Sequence, residues 1–380
     1  MARLDQNGEL RVAQAPLLSI SIPTYNRARC LGRLLSILHE QSANDPRVEV
    51  IVSDNASTDV TKALVEDFLQ RGMKLRYVRN EVNVGGDENI RRCYAMASGK
   101  YTWVFGDDDV IAPGALTTIL SLLSAGEYDL VFLASYPFPG DATDTLPKRR
   151  WWLDAYNVTS DPLRFVDLVD THSDLMFITS MIINRERAQE SVVADNSRYV
   201  ANNIIQLSWI LPVLKNMRRG LYVDAQLVGI ATLNAAGGYD AGHYFGLRFK
   251  AALDCWLDTE SALSKRLINN HLTMWVTPWL DWMWNIENMS RDKIDVVDPH
   301  QNLLPIFGSN PRYWTCVYPM IVLPELLAKT WAFPWLVRRK LMRLWYQTIT
   351  PKLGIERRLS KSMHTETLEY SEVGAPTGKN

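Results

Sequence analysis

The chain alternates short β-rich runs with helical segments over its first third, and this alternation constrains the fold more than any other feature. Apolar, β-branched runs lie at 17–23, 48–53, 75–78, 101–105 and 128–133. Segments of helical period separate them. This spacing predicts an α/β fold with a mostly parallel, doubly wound central sheet. In such sheets ligands bind at the carboxyl ends of the strands.

Three acidic residues follow the run at 101–105, namely Asp107, Asp108 and Asp109. Neighbouring carboxylates repel one another unless a cation or hydrogen-bond donors neutralise them. Their hard oxygen atoms suit Mg²⁺ or Mn²⁺, which also bridge to substrate phosphates. The pattern is equally compatible with a solvated acidic turn before the next helix.

Asp54 and Asn55 end the run at 48–53, at the same predicted sheet edge. A carboxylate at this position can accept hydrogen bonds from a nucleobase, although a simple Asx turn is the alternative.

Four blocks in this order resemble the family 2 glycosyltransferases, which have the Rossmann-like GT-A fold. The blocks are Ser21–Arg27, Val50–Asp59, Asn83–Gly86 with Asn89, and Phe105–Asp109 with Pro113. The resemblance is close over residues 16–135, loose over 175–245 and absent from the C-terminal third. It includes O-antigen deoxyhexose transferases of the abequosyltransferase type.

The resemblance implies a nucleotide-sugar pocket and a Mn²⁺ or Mg²⁺ ion on the diphosphate. The nucleotide residues it implies are Pro23, Tyr25, Asn26, Arg27, Asp54, Asn55, Asn83, Gly85, Gly86, Asn89, Asp107 and Asp108. The metal ligands it implies are Asp107, Asp108 and Asp109, with His243 in a glycine-rich loop as a further candidate. The cation would act as a Lewis acid on the leaving group.

This chain departs from the family pattern at two places. Gly106 stands where the first Asp of the commoner acidic motif is found, and the Glu-Asp pair that usually supplies the base is missing after a strand predicted at 176–183. Because inverting transfer needs a proton acceptor, we consider the remaining carboxylates and imidazoles. These candidates are Asp195, which we favour, and Asp174, His172, Asp240 and His243. A retaining mechanism without an enzymic base is the alternative.

The C-terminal third is rich in tryptophan and basic residues. Nine of the 13 Trp residues follow position 250, and residues 312–361 contain ten Lys and Arg residues against two acidic ones. Basic and aromatic side chains together are typical of an interfacial helix. The predicted membrane-contacting residues are Trp314, Trp331, Trp335, Arg338, Arg339, Lys340, Arg343 and Trp345. Charges and prolines within 313–337 argue against a transmembrane helix, and packing of these tryptophans in a core is the alternative.

The domain organisation expected from these patterns has four parts. They are an N-terminal extension (1–15), a GT-A domain (16–245, with a nucleotide half at 16–135 and an acceptor half at 136–245), a helical membrane-proximal region (246–365) and a disordered tail (366–380).

We expect a metal-dependent glycosyltransferase of cell-surface polysaccharide synthesis that uses a nucleoside-diphosphate sugar. Its acceptor would be a lipid-linked, polyprenyl-diphosphate glycan at an anionic membrane. The net charge of −1 argues against a nucleic-acid partner, and the N-terminus lacks the apolar core of a signal peptide. We therefore expect a cytoplasmic protein peripheral to the inner membrane face. A non-catalytic sugar-binding scaffold and a nucleotidyltransferase are the alternatives.

Overall fold

The computed structural model describes residues 3–4, 10–11, 15–138, 156–170, 175–191, 204–231, 243–277 and 299–349. Near the N-terminus, β1 (Arg3–Leu4) pairs antiparallel with β2 (Leu10–Arg11). All other strands join one sheet.

Within the described residues the central sheet has nine strands. They are β3 (Leu18–Thr24), β4 (Val48–Asp54), β5 (Arg76–Arg79), β6 (Tyr101–Val104), β7 (Val110–Ile111), β8 (Leu130–Phe138), β9 (Tyr156–Thr159), β10 (Met181–Asn184) and β11 (Gly220–Ala231). Their order in the sheet is β5-β4-β3-β6-β10-β8-β11-β7, with β9 paired to β11.

Strands β5, β4, β3 and β6 are all parallel, as are β8 and β11. Strand β10 runs antiparallel to β6 and β8, and β7 and β9 run antiparallel to β11. The predicted α/β class with its central sheet is confirmed. The predicted strand at 176–183 is partly wrong, because Ile178–Ser180 forms a 3-10 turn and only Met181–Asn184 is extended.

Helices pack on both faces of the sheet and continue into the C-terminal region. They are α1 (Ala28–Ser42), α2 (Thr61–Gln70), α3 (Gly86–Met96), α4 (Ala115–Ala125), α5 (Pro162–Asp170), α6 (Arg185–Ser191), α7 (Leu207–Lys215), α8 (Phe249–Trp256), α9 (Ala262–Asn270), α10 (Pro299–Phe307), α11 (Tyr318–Val322) and α12 (Glu325–Ile349). Wide helical turns lie at His243–Arg248, His271–Val276 and Tyr313–Val317.

Three apolar clusters hold these layers together. One packs α1, α2 and α4 against a face of the sheet, and the second packs α5, α7, α8 and α9 against the other side. Strand β3 alternates Leu and Ile with Ser, yet Ser19 and Ser21 are as fully buried as their apolar neighbours, so both faces of this strand are covered. The third cluster, around Phe307, Tyr313 and Met320, belongs to the C-terminal helices.

Helix α12 contains one of the three prolines of residues 313–337. As those prolines predict, this segment is not one continuous helix, because α11 ends at Val322 and α12 begins at Glu325. Within α12, however, the helix runs without a break for 25 residues through Pro334. The residue whose carbonyl loses its partner at this proline, Thr330, is exposed, so water can take the place of the missing N–H. Within the described ranges, no helix is long and apolar enough to cross a bilayer.

Candidate active site

The carboxyl ends of β3, β4 and β5 bring polar residues from distant parts of the sequence side by side. The parallel register pairs Thr24 with Asp54, and Asp54 with Arg79. The loops that follow these strands, together with the loop after β6, carry most of the predicted nucleotide residues. The register of the parallel strands therefore brings the predicted nucleotide residues together at this edge of the sheet.

Asp54 is completely buried, and both of its carboxylate oxygens are engaged. The Tyr77 hydroxyl donates to Oδ2 at 2.6 Å, and the Ser57 backbone N–H donates to Oδ1 at 2.8 Å. Arg79 Nε lies 3.3 Å from Oδ2. Burial and the adjacent carboxylate raise the pKa of Tyr77 far above its ordinary value, so its hydroxyl stays a donor. Asp54 thus anchors a polar cluster that includes Tyr77 and Arg79.

A second network fixes the loop between β5 and α3. The Asn55 side chain donates to Asn83 Oδ1 at 2.8 Å and accepts from the Val84 N–H at 2.9 Å. Asn80 Nδ2 donates to Asn55 Oδ1 and to Asn89 Oδ1, both at 3.0 Å. These bonds satisfy three buried amide side chains, so the loop that precedes α3 is held in one conformation.

The loop after β3 presents Tyr25 to solvent. Asn26 has the left-handed backbone angle φ of 52°, and its side chain accepts a hydrogen bond from the Thr58 N–H at 2.7 Å. Its own N–H donates to Ser57 Oγ at 2.9 Å. The loop is therefore fixed to the loop after β4, while the Tyr25 side chain is 43% exposed and free to stack on a base.

Asp107 and Asp108 share one cationic partner. Arg27 Nη1 lies 3.1 Å from Asp107 Oδ1 and 2.9 Å from Asp108 Oδ2. The Thr24 hydroxyl donates to Asp107 Oδ2 at 2.7 Å, and Arg33 donates to the Asp108 backbone carbonyl at 2.7 Å. The first two aspartates thus face the loop after β3.

Asp109 instead faces the acceptor half of the predicted domain. The Ala231 N–H donates to its Oδ1 at 2.9 Å, and the Thr179 hydroxyl donates to its Oδ2. Thr179 Oγ1 also accepts from the Gly106 N–H at 3.0 Å. A Cβ atom on Gly106 would lie 2.8 Å from Asp109 Oδ2, so glycine at this position leaves room for the carboxylate.

Burial of this acidic cluster shifts its proton affinity. The pKa of Asp107 rises to about 6 because burial disfavours the charged form; Arg27 opposes the rise and Asp108 adds to it. The pKa of Asp109 rises to about 7, through burial first and repulsion by Asp108 second. An additional positive charge nearby would therefore stabilise the ionised form of both carboxyl groups.

The donor chemistry of the triplet fits a divalent cation, but its side chains point to other partners. A hard divalent cation prefers oxygen ligands, and its charge would lower the raised pKa values of Asp107 and Asp109. In the described part of the chain, no three His, Cys, Asp or Glu side chains are already grouped as a metal site. A cation here must therefore rearrange Arg27 or the carboxylates.

Several predicted residues cannot be compared with the structure. The candidate bases Asp195, Asp174, His172 and Asp240 lie outside the described residues. His243 begins the turn His243–Arg248, but its side chain lies outside the described part. Gln206, near the expected position of the missing acidic pair, is buried and donates to the Met176 carbonyl at 2.5 Å. No base is assigned by these contacts.

Five further residues of this site were not predicted from the sequence: Thr24, Tyr77, Arg79, Asn80 and Thr179. Arg79 could have been found by aligning the parallel strands β4 and β5, because it lies directly beside Asp54. Thr179 gives no such signal, since it reaches Asp109 from a turn 70 residues away.

The predicted membrane residues lie on the C-terminal helices. Trp314 and Trp331 are 45% and 47% exposed, and their indole N–H groups donate to the carbonyls of Gly308 and Thr315. Trp335 is partly buried and Arg338 is exposed. The side chains of Arg339, Lys340, Arg343 and Trp345 lie outside the described part.

Helix α12 exposes an apolar face that the sequence pattern did not single out. Around Trp331, the exposed side chains include Leu326 (78%), Leu327 (55%), Phe333 (65%) and Leu341 (59%). The opposite side, with Ala328 and Ala332, packs into the C-terminal cluster. Among the side chains of α12 that the structure describes, up to Leu341, the solvent-facing side is thus largely apolar.

Comparison with known proteins identifies the domain that carries the site. Residues 19–186 match the family described as Glycosyl transferase family 2. The chain carries a family 2 glycosyltransferase domain. This match spans both aspartate clusters and the Thr179 turn, and it confirms the family predicted from the four sequence blocks.

Named relatives are similar to part of this chain. Abequosyltransferase RfbV of Salmonella typhimurium is 36% identical over 110 residues, which are 29% of this chain and 33% of the relative. A GalNAc(5)-diNAcBac-PP-undecaprenol beta-1,3-glucosyltransferase of Campylobacter jejuni is 31% identical over 112 residues, 29% of this chain and 36% of the relative. The matched region therefore spans about a third of the length of these relatives.

Solved structures support the glycosyltransferase fold over most of the chain. S. aureus TarS 1–349 superposes with a TM-score of 0.53 at 15% identity, covering 88% of this chain and 93% of that one. Its complex with UDP-GlcNAc gives 0.53 at 14% identity, with 92% of both chains covered. The predicted GT-A fold is confirmed.

Proposed function

We propose that this protein transfers a sugar from a nucleoside-diphosphate donor to a lipid-linked glycan at a membrane surface. The observation that carries the proposal is the shared sheet edge. There the Asp54 cluster and the Asp107–Asp109 triplet are joined through the loop Thr24–Arg27. The glycosyltransferase family match extends over this whole edge.

The nucleoside would bind between the Tyr25 ring and the Asp54 cluster. Tyr25 is the exposed aromatic residue of this edge and offers a stacking surface. Asp54, Tyr77 and Arg79 supply an acceptor, a hydroxyl and a cation, which can read the polar edge of a base. The asparagine network would hold the loop at Gly85 and Gly86 beside the ribose or diphosphate.

Asp107 and Asp108 would hold Mn²⁺ or Mg²⁺, with Asp109 completing the acidic set. When bound, such a cation neutralises the negative charge that develops on the departing diphosphate. The contacts of Asp109 with Thr179 and Ala231 support a role in fixing the acceptor half beside the donor. The acceptor hydroxyl must lose its proton, and we retain Asp195, Asp174 and His172 as candidate bases for an inverting reaction.

The acceptor proposal rests on a relative and on the C-terminal helices. The C. jejuni relative is named for GalNAc(5)-diNAcBac-PP-undecaprenol, a lipid-linked glycan. The apolar face of α12 and the basic residues Arg338–Arg343 would let this protein reach such a substrate at the cytoplasmic membrane face. We keep 16–245 as the catalytic domain and 246–365 as the membrane-proximal region in this proposal.

The decisive experiment is donor hydrolysis by the full-length protein. A panel of UDP-, GDP-, CDP- and dTDP-sugars is incubated with Mn²⁺, and nucleoside diphosphate release is measured by chromatography. We expect slow release from one nucleotide class, loss of release on chelation, and faster turnover when a polyprenyl-diphosphate glycan is added.

The Asp108→Asn variant serves as the active-site control, and Asp67→Asn, a surface change on α2, serves as the matched control. Binding of a nucleotide sugar without release, with or without acceptor, would favour a non-catalytic scaffold instead. Pyrophosphate release from a nucleoside triphosphate would favour nucleotidyl transfer.

A further inference from the structure

Arg27 contacts the two carboxylates that the proposed function assigns to a metal ion. A single nitrogen, Nη1, lies 3.1 Å from Asp107 Oδ1 and 2.9 Å from Asp108 Oδ2. The Asp107 side chain is 6% exposed and that of Asp108 is 20% exposed. A positive nitrogen therefore already lies between the two acidic groups.

We propose that Arg27 is an internal counter-cation, which a divalent metal displaces when it binds to Asp107 and Asp108. This inference rests on the proposed metal-dependent function. A divalent metal held by Asp107 and Asp108 would need direct contact with their carboxylates, at metal–oxygen distances of about 2.0–2.1 Å in the case of Mg²⁺. It cannot share that position with Nη1, because the space is the same and the two positive charges repel.

The surroundings of Arg27 allow its side chain to move while its backbone stays. The preceding residue is fixed by the hydrogen bonds of Asn26 with Ser57 and Thr58. The following residue, Ala28, donates its N–H to Asp59 at 3.1 Å. The Arg27 side chain itself is 34% exposed, so an exit to solvent is open to it.

In the metal-free protein this contact has a structural purpose. Two carboxylates on neighbouring residues repel each other, and burial strengthens that repulsion. Arg27 offsets it and keeps the two groups together in the absence of the ion. Such an arrangement preorganises the ligands, but it weakens the metal's affinity because the guanidinium must first leave.

The test measures Mn²⁺ binding alone, without nucleotide, by calorimetry and by the electron paramagnetic resonance signal of free Mn²⁺. The full-length wild-type protein is compared with Arg27→Met and Arg27→Gln, which remove the charge, and with Arg27→Lys, which keeps it. Arg29→Met is the matched control, because it removes an exposed positive charge two residues away on α1. Circular dichroism verifies that each variant is folded.

We expect both neutral variants to bind Mn²⁺ more tightly, on the order of tenfold, while Arg27→Lys and Arg29→Met stay within about twofold of wild type. The neutral variants should also melt at lower temperature without metal and show a larger rise on adding Mn²⁺. Unchanged or weaker Mn²⁺ binding in both neutral variants overturns the displacement and leaves the metal site standing. Absence of Mn²⁺ binding in all five proteins at millimolar concentration overturns the metal site and this inference together.

Discussion

The carboxyl edge of the sheet and the C-terminal helix α12 depart from ordinary globular packing in opposite directions. At the edge, charged side chains such as Asp54, Asp107 and Asp109 are buried, and nearly every oxygen has a donor. On α12, large apolar side chains such as Leu326 and Phe333 are exposed. Buried polar groups with specific partners suit a small charged ligand, whereas an exposed apolar face suits an extended surface. On this comparison we propose a chemical role for the carboxyl edge and a localising role for α12.

The largest effect should come from the acidic triplet. Asp108→Asn removes one negative charge where the cation and diphosphate are expected, so sugar transfer should fall by about 10²–10³-fold. Turnover is measured with saturating donor and Mn²⁺. Binding to anionic liposomes should not change, and Asp67→Asn should leave both properties unaltered. Near-normal turnover in the presence of EDTA would contradict a metal role for the triplet.

The second effect concerns α12 and should show the reverse pattern. Replacing Arg338, Arg339, Lys340 and Arg343 with Glu should weaken co-sedimentation with anionic liposomes by about 100-fold or more, since each basic residue adds roughly 1 kcal/mol at such a surface. Hydrolysis of free sugar nucleotide should persist.

A companion variant replaces Leu326, Leu327 and Phe333 with Gln and should weaken binding even at high salt, where the electrostatic part is screened. Failure of the wild-type protein to bind anionic liposomes at low salt would assign the exposed face to another partner.

A third, smaller effect tests the buried polar cluster around Asp54. Asp54→Ala should weaken nucleoside diphosphate binding by about 1–3 kcal/mol, because it removes a buried charged acceptor and leaves Tyr77 unpaired. Tyr77→Phe keeps the ring and the carboxylate, so its loss should be nearer about 1 kcal/mol. Isothermal titration calorimetry distinguishes the two, and equal affinities for all three proteins would place the nucleoside elsewhere.

The last effect concerns how the stability of the metal-free protein depends on pH. Asp107 and Asp109 lose their protons near pH 4 when unfolded but at about 6 and 7 when folded. The folded state therefore binds more protons between pH 4 and 7, and the free energy of unfolding falls as pH rises through that window.

Asp109→Asn should flatten this fall by about 2 kcal/mol, as measured by urea unfolding at several pH values. The pKa of Glu88 is lowered to about 2, so its own effect on stability falls between about pH 2 and 5, and the comparison is therefore made between pH 5 and 7. A free energy of unfolding of the wild-type protein that rises from pH 5 to pH 7 would mean that folding does not raise the pKa values of these two aspartates.

The sequence was a good guide wherever a local pattern decides the structure. Alternating runs and helical periods located the strand that ends at Asp54 and the strand that ends three residues before Asp107, since polar residues mark the end of each. It was a poor guide where strand register or distant packing decides the contact. Tyr77 meets Asp54 because β5 lies beside β4, and this partner follows from the sheet order, which a single sequence does not contain.

The C-terminal region shows the same limit in another form. Its prolines predict an interrupted segment, and α11 and α12 are indeed separate helices, but Pro334 does not break α12 because the exposed turn at Thr330 accommodates it. The exposed apolar face follows from which side of α12 packs against the third cluster, so periodicity alone did not identify it.

The three hydrogen bonds around Asp109 also bear on how the protein is made. They join residues 106–109 to Thr179 and Ala231, and the last of these partners is separated from Asp109 by 122 positions. During synthesis the acidic triplet leaves the ribosome well before Ala231 does, and contacts of such long range form late in folding. An unfinished chain therefore lacks the bond from Ala231, and the carboxyl edge of the sheet is complete only when β11 is in place.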